Sequence, residues 1–211
     1  MVERLTCQLE GGLLLADKEL LSRWRESPPT DEFDLEGEFS IALDVFGKTD
    51  QKYQWPDEDW ETVWRRETQG LVSCVNRGEI AVLLLHEGEF FVDLAVNASA
   101  PEVTGVTKYQ SCLNVPSGIL AIAEIGTFIP YWGVKSFPQT FDSLVYREIA
   151  LPSGSYTASF LVPKDAPIVQ KGRLFSFGNE KEPALYVRLN CPPTSVDQID
   201  ELFRVNMTRS Q

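Results

Sequence analysis

The stretch that decides the fold of this chain is LVSCVNRGEIAVLLLHEGEFFVDLAV, residues 71–96. It contains three apolar runs, at 71–75, 80–85 and 90–96, and a polar turn with a glycine separates each run from the next. Short apolar runs bounded by turn residues are typical of β-strands. The stretch therefore predicts three strands in an antiparallel meander.

The start of the chain shows a similar pattern. Apolar and polar side chains alternate over residues 5–9, and a second apolar run at 13–15 follows a glycine turn, which predicts a β-hairpin. Asp17 then follows at a position where its carboxylate can cap a short helix. The apolar residues of that helix share one side: Leu20, Leu21 and Trp24.

Further elements are predicted on both sides of the central stretch. Alternation predicts a strand at 39–45, and a proline followed by acidic residues predicts a helix start near 55 that runs to about residue 68. Three more strands are predicted at 143–151, 156–162 and 184–190. Ser195 with Gln198 three residues later predicts a capping box, and hence a terminal helix.

Many short strands with polar turns must each bury one face, so we expect a mainly β (α+β) fold. Its architecture should be two packed antiparallel sheets, or β-sandwich-like halves, with a few short helices. The 211 residues are expected to form a single β-rich domain, or two subdomains, 1–100 and 105–211, because the composition changes near 97–108.

The charge of the chain is strongly negative and unevenly distributed. Lys and Arg number 19 against 31 Asp and Glu, a formal net charge of −12. Residues 31–61 contain eleven of the acidic residues and only two lysines, and so hold −9 of that charge. Clustered basic residues, which a nucleic-acid ligand requires, are lacking. With no basic leader or long apolar run at the start, we expect a cytoplasmic protein that binds neither nucleic acid nor membrane.

The sequence contains few residues suited to catalysis or to binding a metal or a cofactor. His86 is the only histidine, and the four cysteines are far apart, which disfavours zinc, dithiol and triad chemistry. Gly47-Lys48-Thr49 resembles the end of a phosphate-binding loop, but the required first glycine is replaced by Ala42. We therefore expect no catalytic residues, no metal ligands and no cofactor.

The best candidate site lies where tryptophans occur within the acidic segment. Trp60 and Trp64 are spaced to share one helical face, which is typical of packing against a core. Exposed tryptophans beside acidic residues would instead form a patch that binds a protein, because the charge attracts a basic partner and the indole rings anchor it. The candidate partner-binding residues are Trp55, Asp57, Glu58, Asp59, Trp60, Glu61 and Trp64.

A second aromatic loop supports an alternative function. Tyr131 and Trp132 lie between a proline and a glycine, which predicts an aromatic loop. Such a loop at the end of a β-sandwich could bind a small ligand or a carbohydrate.

The order of features at the start of the chain resembles a known family. The run Gly11-Gly12-Leu13-Leu14-Leu15, continuing through Leu20-Leu21 to Trp24-Arg25 and followed by an acidic segment and a predicted meander, is similar to the start of bacterial polymorphic-toxin immunity proteins, the family numbered twenty-one. The resemblance implies a cytoplasmic protein that binds and neutralises a cognate toxin without catalysis. A basic toxin domain would be the partner that the acidic segment favours.

Overall fold

The computed structural model describes residues 1–9, 11–25, 71–98, 105–125, 146–171 and 174–205. The first part contains β1 (Val2–Leu9), β2 (Gly12–Asp17), α1 (Lys18–Arg25), α2 (71–76), β3 (Ile80–Leu84) and β4 (Gly88–Val96). The second part contains β5 (Val106–Val115), β6 (Ile119–Glu124), β7 (Tyr146–Ala150), β8 (Gly154–Pro163), β9 (Ile168–Lys171), β10 (Leu174–Phe177) and β11 (Leu185–Asn190). The strand predicted at 39–45 and the helix predicted at 55–68 lie outside the described residues.

The strands form two sheets, which confirms the predicted fold class. The first, sheet A, has seven strands in the order β5-β8-β11-β4-β10-β9, with β1 paired to β4 as well. Since β1 covers the whole of one side of β4, both β10 and β11 lie on its other side. These last two pairings with β4 are parallel, so sheet A is mixed rather than purely antiparallel.

Sheet B is an antiparallel sheet of four strands in the order β3-β2-β6-β7. It packs face to face on sheet A, and inward side chains from both sheets, such as Leu13, Leu83, Phe90 and Phe160, form one core. Each sheet contains strands from both sides of residue 100, so the two sheets do not correspond to two halves of the sequence. The prediction of a single domain, or of subdomains 1–100 and 105–211, stays a prediction.

Strands that follow one another pair differently from the prediction. The hairpin of β1 with β2 is wrong, because β1 pairs with β4 in sheet A while β2 pairs with β3 and β6 in sheet B. The meander is wrong for the same reason, because β3 and β4 belong to different sheets. Alternation and turn residues locate strands, but they do not specify which neighbour a strand pairs with.

The first run of the predicted meander is also a helix rather than a strand. Residues 71–76 form α2, and the N–H of Arg77 continues the helical pattern by donating to the carbonyl of Ser73. Leu71, Cys74 and Val75 are buried, at a spacing of three and four residues that is typical of a helix face. A short apolar run fits either element, and packing decides which one forms.

Both helices cover the outer face of sheet B. A second core lies there, formed by Leu14 and Ala16 of β2 together with side chains such as Leu21 of α1 and Cys74 of α2. The predicted N-cap is confirmed, because the Asp17 carboxylate accepts a hydrogen bond of 2.8 Å from the N–H of Glu19. Sheet B is therefore the middle layer of three, and its strands β2 and β3 are buried on both faces, while the edge strand β7 keeps exposed residues such as Glu148.

The end of the described chain forms an extended segment, residues 191–205, which we call the C-terminal strap. The predicted terminal helix is wrong, because the backbone of the strap bonds to other elements instead of to itself. Thr194 N–H donates to Thr157 Oγ1 at 2.7 Å, and Ile199 N–H donates to Asn76 Oδ1 at 2.9 Å. The strap then runs beside β3, where Leu84 N–H donates to the carbonyl of Phe203. No helix in the described ranges is long and apolar enough to cross a membrane.

Candidate functional site

The predicted partner-binding residues, Trp55, Asp57, Glu58, Asp59, Trp60, Glu61 and Trp64, and the predicted ligand-binding residues, Tyr131 and Trp132, all lie outside the described residues. Their assignment therefore stays a prediction. The structure does describe the elements that precede and follow the two segments that contain these residues.

Both segments are joined to the same side of the molecule. The segment 26–70 follows α1 and precedes α2, which are the two helices that cover sheet B. The segment 126–145 follows Ile125, next to β6, and precedes β7, its antiparallel neighbour in sheet B. All four junctions therefore belong to sheet B or to its covering layer, and none belongs to sheet A.

A polar cluster connects the elements next to these junctions. The ammonium group of Lys18, at the start of α1, contacts Glu148 of β7 at 2.7 Å. The hydroxyl of Tyr146, the first residue of β7, donates to the other oxygen of the same carboxylate at 2.8 Å. Glu148 thus joins the helix that precedes one segment to the strand that follows the other. Lys18 and Glu148 are 130 residues apart in the chain, and no sequence pattern indicates that they pair.

A buried carboxylate lies at the same end of sheet B as this cluster, because Asp17 pairs with Leu120 and Leu120 pairs with Ile149, next to Glu148. Asp17 is 5% exposed, and besides capping α1 it accepts a hydrogen bond of 2.8 Å from the N–H of Ser117 in the turn between β5 and β6. Both of its oxygens are therefore bonded to backbone N–H groups. This arrangement joins the start of α1 to the turn between β5 and β6 and satisfies both oxygens of the buried carboxylate.

The outer face of sheet A carries paired polar side chains. Arg4 and Asp93 form two hydrogen bonds, at 2.6 and 2.9 Å, and this contact with the carboxylate raises the pKa of the Arg4 guanidinium above its ordinary value. In a neighbouring row Gln110 donates to Ser159 Oγ at 2.9 Å. Burial is the main cause that raises the pKa of the Tyr186 hydroxyl, which lies beside Asp93 in the sheet. The face is a network of internal contacts.

Among the candidates for covalent chemistry, His86 and the buried Cys7 and Cys74 form no catalytic arrangement in the described residues. His86 is exposed in the turn between β3 and β4, and in the described part of the chain no hydrogen bond joins it to a serine, cysteine or carboxylate. Burial raises the pKa of the Cys7 thiol to about 11 and that of the Cys74 thiol to about 12, so both remain protonated at neutral pH. Within the described ranges, no group of three His, Cys, Asp or Glu could hold a metal ion.

Comparisons with known proteins are sparse. No family model and no curated protein matches the sequence. Two solved structures are similar: a chain described as crocagin biosynthetic gene J, at 14% identity over 90% of this chain and 96% of that one, with a TM-score of 0.44; and ComJ from Bacillus subtilis, an inhibitor of the DNA-degrading activity of NucA, at 11% identity over 90% and 98%, with a TM-score of 0.39. TM-scores below 0.5 do not establish a shared fold, so neither protein assigns a fold or a function to this chain.

Proposed function

We propose that this protein is a cytoplasmic immunity protein that binds a cognate protein toxin and neutralises it by occlusion, without catalysis. The observation that carries the proposal is the distribution of charge, because residues 31–61 hold −9 of the net charge of −12. The same segment contains Trp55 and Trp60. A field of this strength attracts a basic surface over a distance, and indole rings are common anchors in protein interfaces.

The described residues support an interface outside the sandwich itself. Only three large hydrophobic side chains in the described part of the chain are exposed, namely Met1, Val2 and Val169, and Val169 lies apart from the other two in sequence. A stable protein interface usually has an apolar centre of some size. The tryptophan-containing segment can supply such a centre, whereas the described surface is polar.

The layered fold supports a division between binding and stability. The segment 26–70 begins and ends at helices whose apolar faces are fixed against sheet B by the second core. A binding segment held at both ends by buried elements loses less conformational entropy when it binds than a free tail would. Occlusion needs no reacting group, because it covers the surface of the toxin without a chemical step.

The test compares two variants that change the net charge equally. D57N/E58Q/D59N removes three charges from the proposed interface, and D197N/D200N/E201Q removes three from exposed positions of the C-terminal strap. The probe is the purified product of a toxin gene adjacent to the gene for this chain. Because steering depends on local charge, the first variant should associate roughly tenfold more slowly at low salt and show a weaker dependence on ionic strength, while the control keeps nearly the wild-type rate.

Failure of the proposal has two clear signatures. If the wild-type chain neither binds the adjacent toxin nor restores growth of cells that express it, the immunity function is wrong. If binding occurs but both variants associate at equal rates, the acidic segment is not the interface.

The alternative function is a β-sandwich module that binds a small ligand or carbohydrate through Tyr131 and Trp132. These residues belong to the segment between the neighbouring strands β6 and β7. A glycan array probed with the wild-type chain and with Y131A/W132A separates the alternatives, because stacking of sugars on aromatic rings would be lost in the variant. Glycan binding together with no toxin binding would favour this function.

A further inference from the structure

Strand β1 is an edge strand of sheet A, and some of its backbone groups point away from the sheet; we call this edge the margin of β1. Met1 and Val96 exchange two hydrogen bonds, of 2.9 and 2.8 Å. In an antiparallel pair the hydrogen-bonded positions alternate, so Glu3, Leu5, Cys7 and Leu9 bond to β4 in the same way. The N–H and C=O groups of the four even-numbered residues therefore face away from β4: Val2, Arg4, Thr6 and Gln8.

Two other margins, those of β3 and β5, are partly covered by backbone hydrogen bonds from other segments. The strap runs along the end of β3, where Leu84 N–H donates to Phe203 and Leu84 C=O accepts from Val205. The margin of β5 is covered at one end, because Asn114 N–H donates to the carbonyl of Gly78 at 2.7 Å. In the described ranges, β1 pairs with β4 alone along all eight of its residues. A long strand margin of this kind is a template for a further strand.

We propose that β1 is the interface of a symmetric homodimer, in which β1 of one copy pairs antiparallel with β1 of a second copy and the two A sheets become continuous. In an isologous pair the same strand faces itself, so residue i opposite residue j implies j opposite i. Only residues whose backbones face outward can exchange hydrogen bonds. The permitted registers therefore pair even-numbered residues with each other.

One register satisfies every outward group. With Val2 opposite Gln8 and Arg4 opposite Thr6, all four residues of each copy are hydrogen-bonded, and Leu5 lies on the twofold axis. No like charges face each other, since Glu3 lies opposite Cys7. A shift of two residues toward the N-terminus would place Arg4 opposite its own copy, and a further shift would do the same for Glu3, which is unfavourable.

The surroundings of β1 favour a second copy of this chain as the occupant. The margin is electrically balanced in a chain of net charge −12, because Arg4 pairs with Asp93 and Arg147 lies 3.8 Å from Glu3. The charged side chains described along this margin are paired with opposite charges, so they add little repulsion between two copies. Met1 and Val2, which are 52% and 64% exposed, lie at the start of the same margin and would lose exposed apolar surface on pairing.

The test measures the mass of the full chain by analytical ultracentrifugation over a concentration series. The wild-type chain, of 23.8 kDa, should sediment as a dimer. T6P removes an outward N–H without removing a bond to β4, and its ring occupies the interface, so the dimer dissociation constant should rise by roughly 100-fold. T6V keeps the N–H and is the matched control, which should sediment like the wild type. If T6P does not fold, Q8P, which removes another outward N–H, is measured in its place.

Hydrogen exchange provides a second measurement on the unmodified chain. The amides of Val2, Arg4, Thr6 and Gln8 should exchange slowly at high concentration and quickly on dilution, because only the dimer bonds them. A monomeric wild type overturns the proposal, as does a T6P dimer with an unchanged dissociation constant. Slow exchange in a dilute monomer would overturn it too, since the margin would then be covered within one chain. A monomer whose amides become slow only when a different protein is added would assign the margin to that partner instead.

Discussion

The two sheets of this protein are buried to different extents, although both consist largely of apolar strands. In sheet A the strands β1, β4 and β11 alternate, with inward residues such as Phe90 and Leu189 in the core and outward residues such as Tyr186 half-buried or exposed. In sheet B every residue of β2 and β3 is buried. The difference shows that a covering layer of two helices and the strap changes which side chains a strand can carry.

The two sheets also differ in how they are joined to the predicted binding segments. Sheet A places the outer faces of β1, β4 and β11 toward solvent and pairs polar side chains there, such as Arg4 with Asp93, whereas β8 is buried on both faces. Sheet B is buried on both faces at β2 and β3, and all four junctions of the segments 26–70 and 126–145 belong to it or to its covering layer. Sheet B and its covering layer therefore hold the ends of both predicted binding segments, and sheet A carries the margin proposed for dimerisation.

The largest difference between the sheets is expected for side chains on their outer faces. Leu14 is 0% exposed under the helices that cover sheet B, so L14A should lower the free energy of unfolding by about 2–5 kcal/mol. Gln8 lies on the outer face of β1 in sheet A, and Q8A should change the free energy of unfolding by about 0.5 kcal/mol or less. Urea unfolding followed by circular dichroism measures both. Equal effects would contradict the description of sheet B as a layer buried on both faces.

A smaller difference is expected for two glycines with nearly the same backbone conformation. Gly12 of β2 has a φ of 159° and Gly154 of β8 has a φ of 158°, so an alanine meets a similar conformational cost at both. A Cβ at Gly12 would lie 2.5 Å from the carbonyl oxygen of Leu83, whereas a Cβ at Gly154 meets nothing within 4 Å. G12A should therefore destabilise by about 1–3 kcal/mol more than G154A.

Thermal unfolding of the two glycine variants provides the measurement. Because the conformational cost is shared, the difference between their midpoints reports the close packing of β2 against β3. Equal midpoints would mean that these strands can separate slightly without loss of stability.

The smallest effects are expected for the exposed ion pairs, and here the sheets should be alike. On sheet A, Arg4 pairs with Asp93, and these side chains are 46% and 16% exposed. Beside sheet B, Lys18 pairs with Glu148, and these side chains are 37% and 34% exposed. R4A and K18A should each cost about 1 kcal/mol or less, because solvent and salt screen exposed charges. Double-mutant cycles with D93A and E148A, measured at low and high salt, test this expectation. A coupling that persists at high salt at one pair only would show that its surroundings exclude solvent.

Much of the local structure could be predicted from the sequence. The positions of β1, β2, β3, β4, β7, β8 and β11 follow from apolar runs and turn residues, and the cap of α1 follows from Asp17. The helical state of residues 71–76 could not be predicted, because a six-residue apolar stretch satisfies the spacing of either element. The strap could not be predicted because its hydrogen bonds go to Thr157, Asn76 and Leu84, far away in the chain.

The candidate site is predicted from composition alone. Acidic charge and tryptophans identify the segment 55–64 without any information about shape, since electrostatic attraction and aromatic anchoring depend first on residue type. The contacts at the bases of the two segments were not predictable. Lys18 and Glu148 have no shared pattern in the sequence and meet only because β7 lies beside the start of α1.

The sequence by itself determined that the chain is mainly β, where most strands lie and where the negative charge is concentrated, because these properties depend on neighbouring residues and on composition. The tertiary structure decided which strands pair, that α2 is a helix, and that sheet B is the middle of three layers. Apolar runs such as β2 and β3 fit several partners equally well. Only the simultaneous burial of both of their faces selects one arrangement, and that condition involves residues more than 100 positions apart.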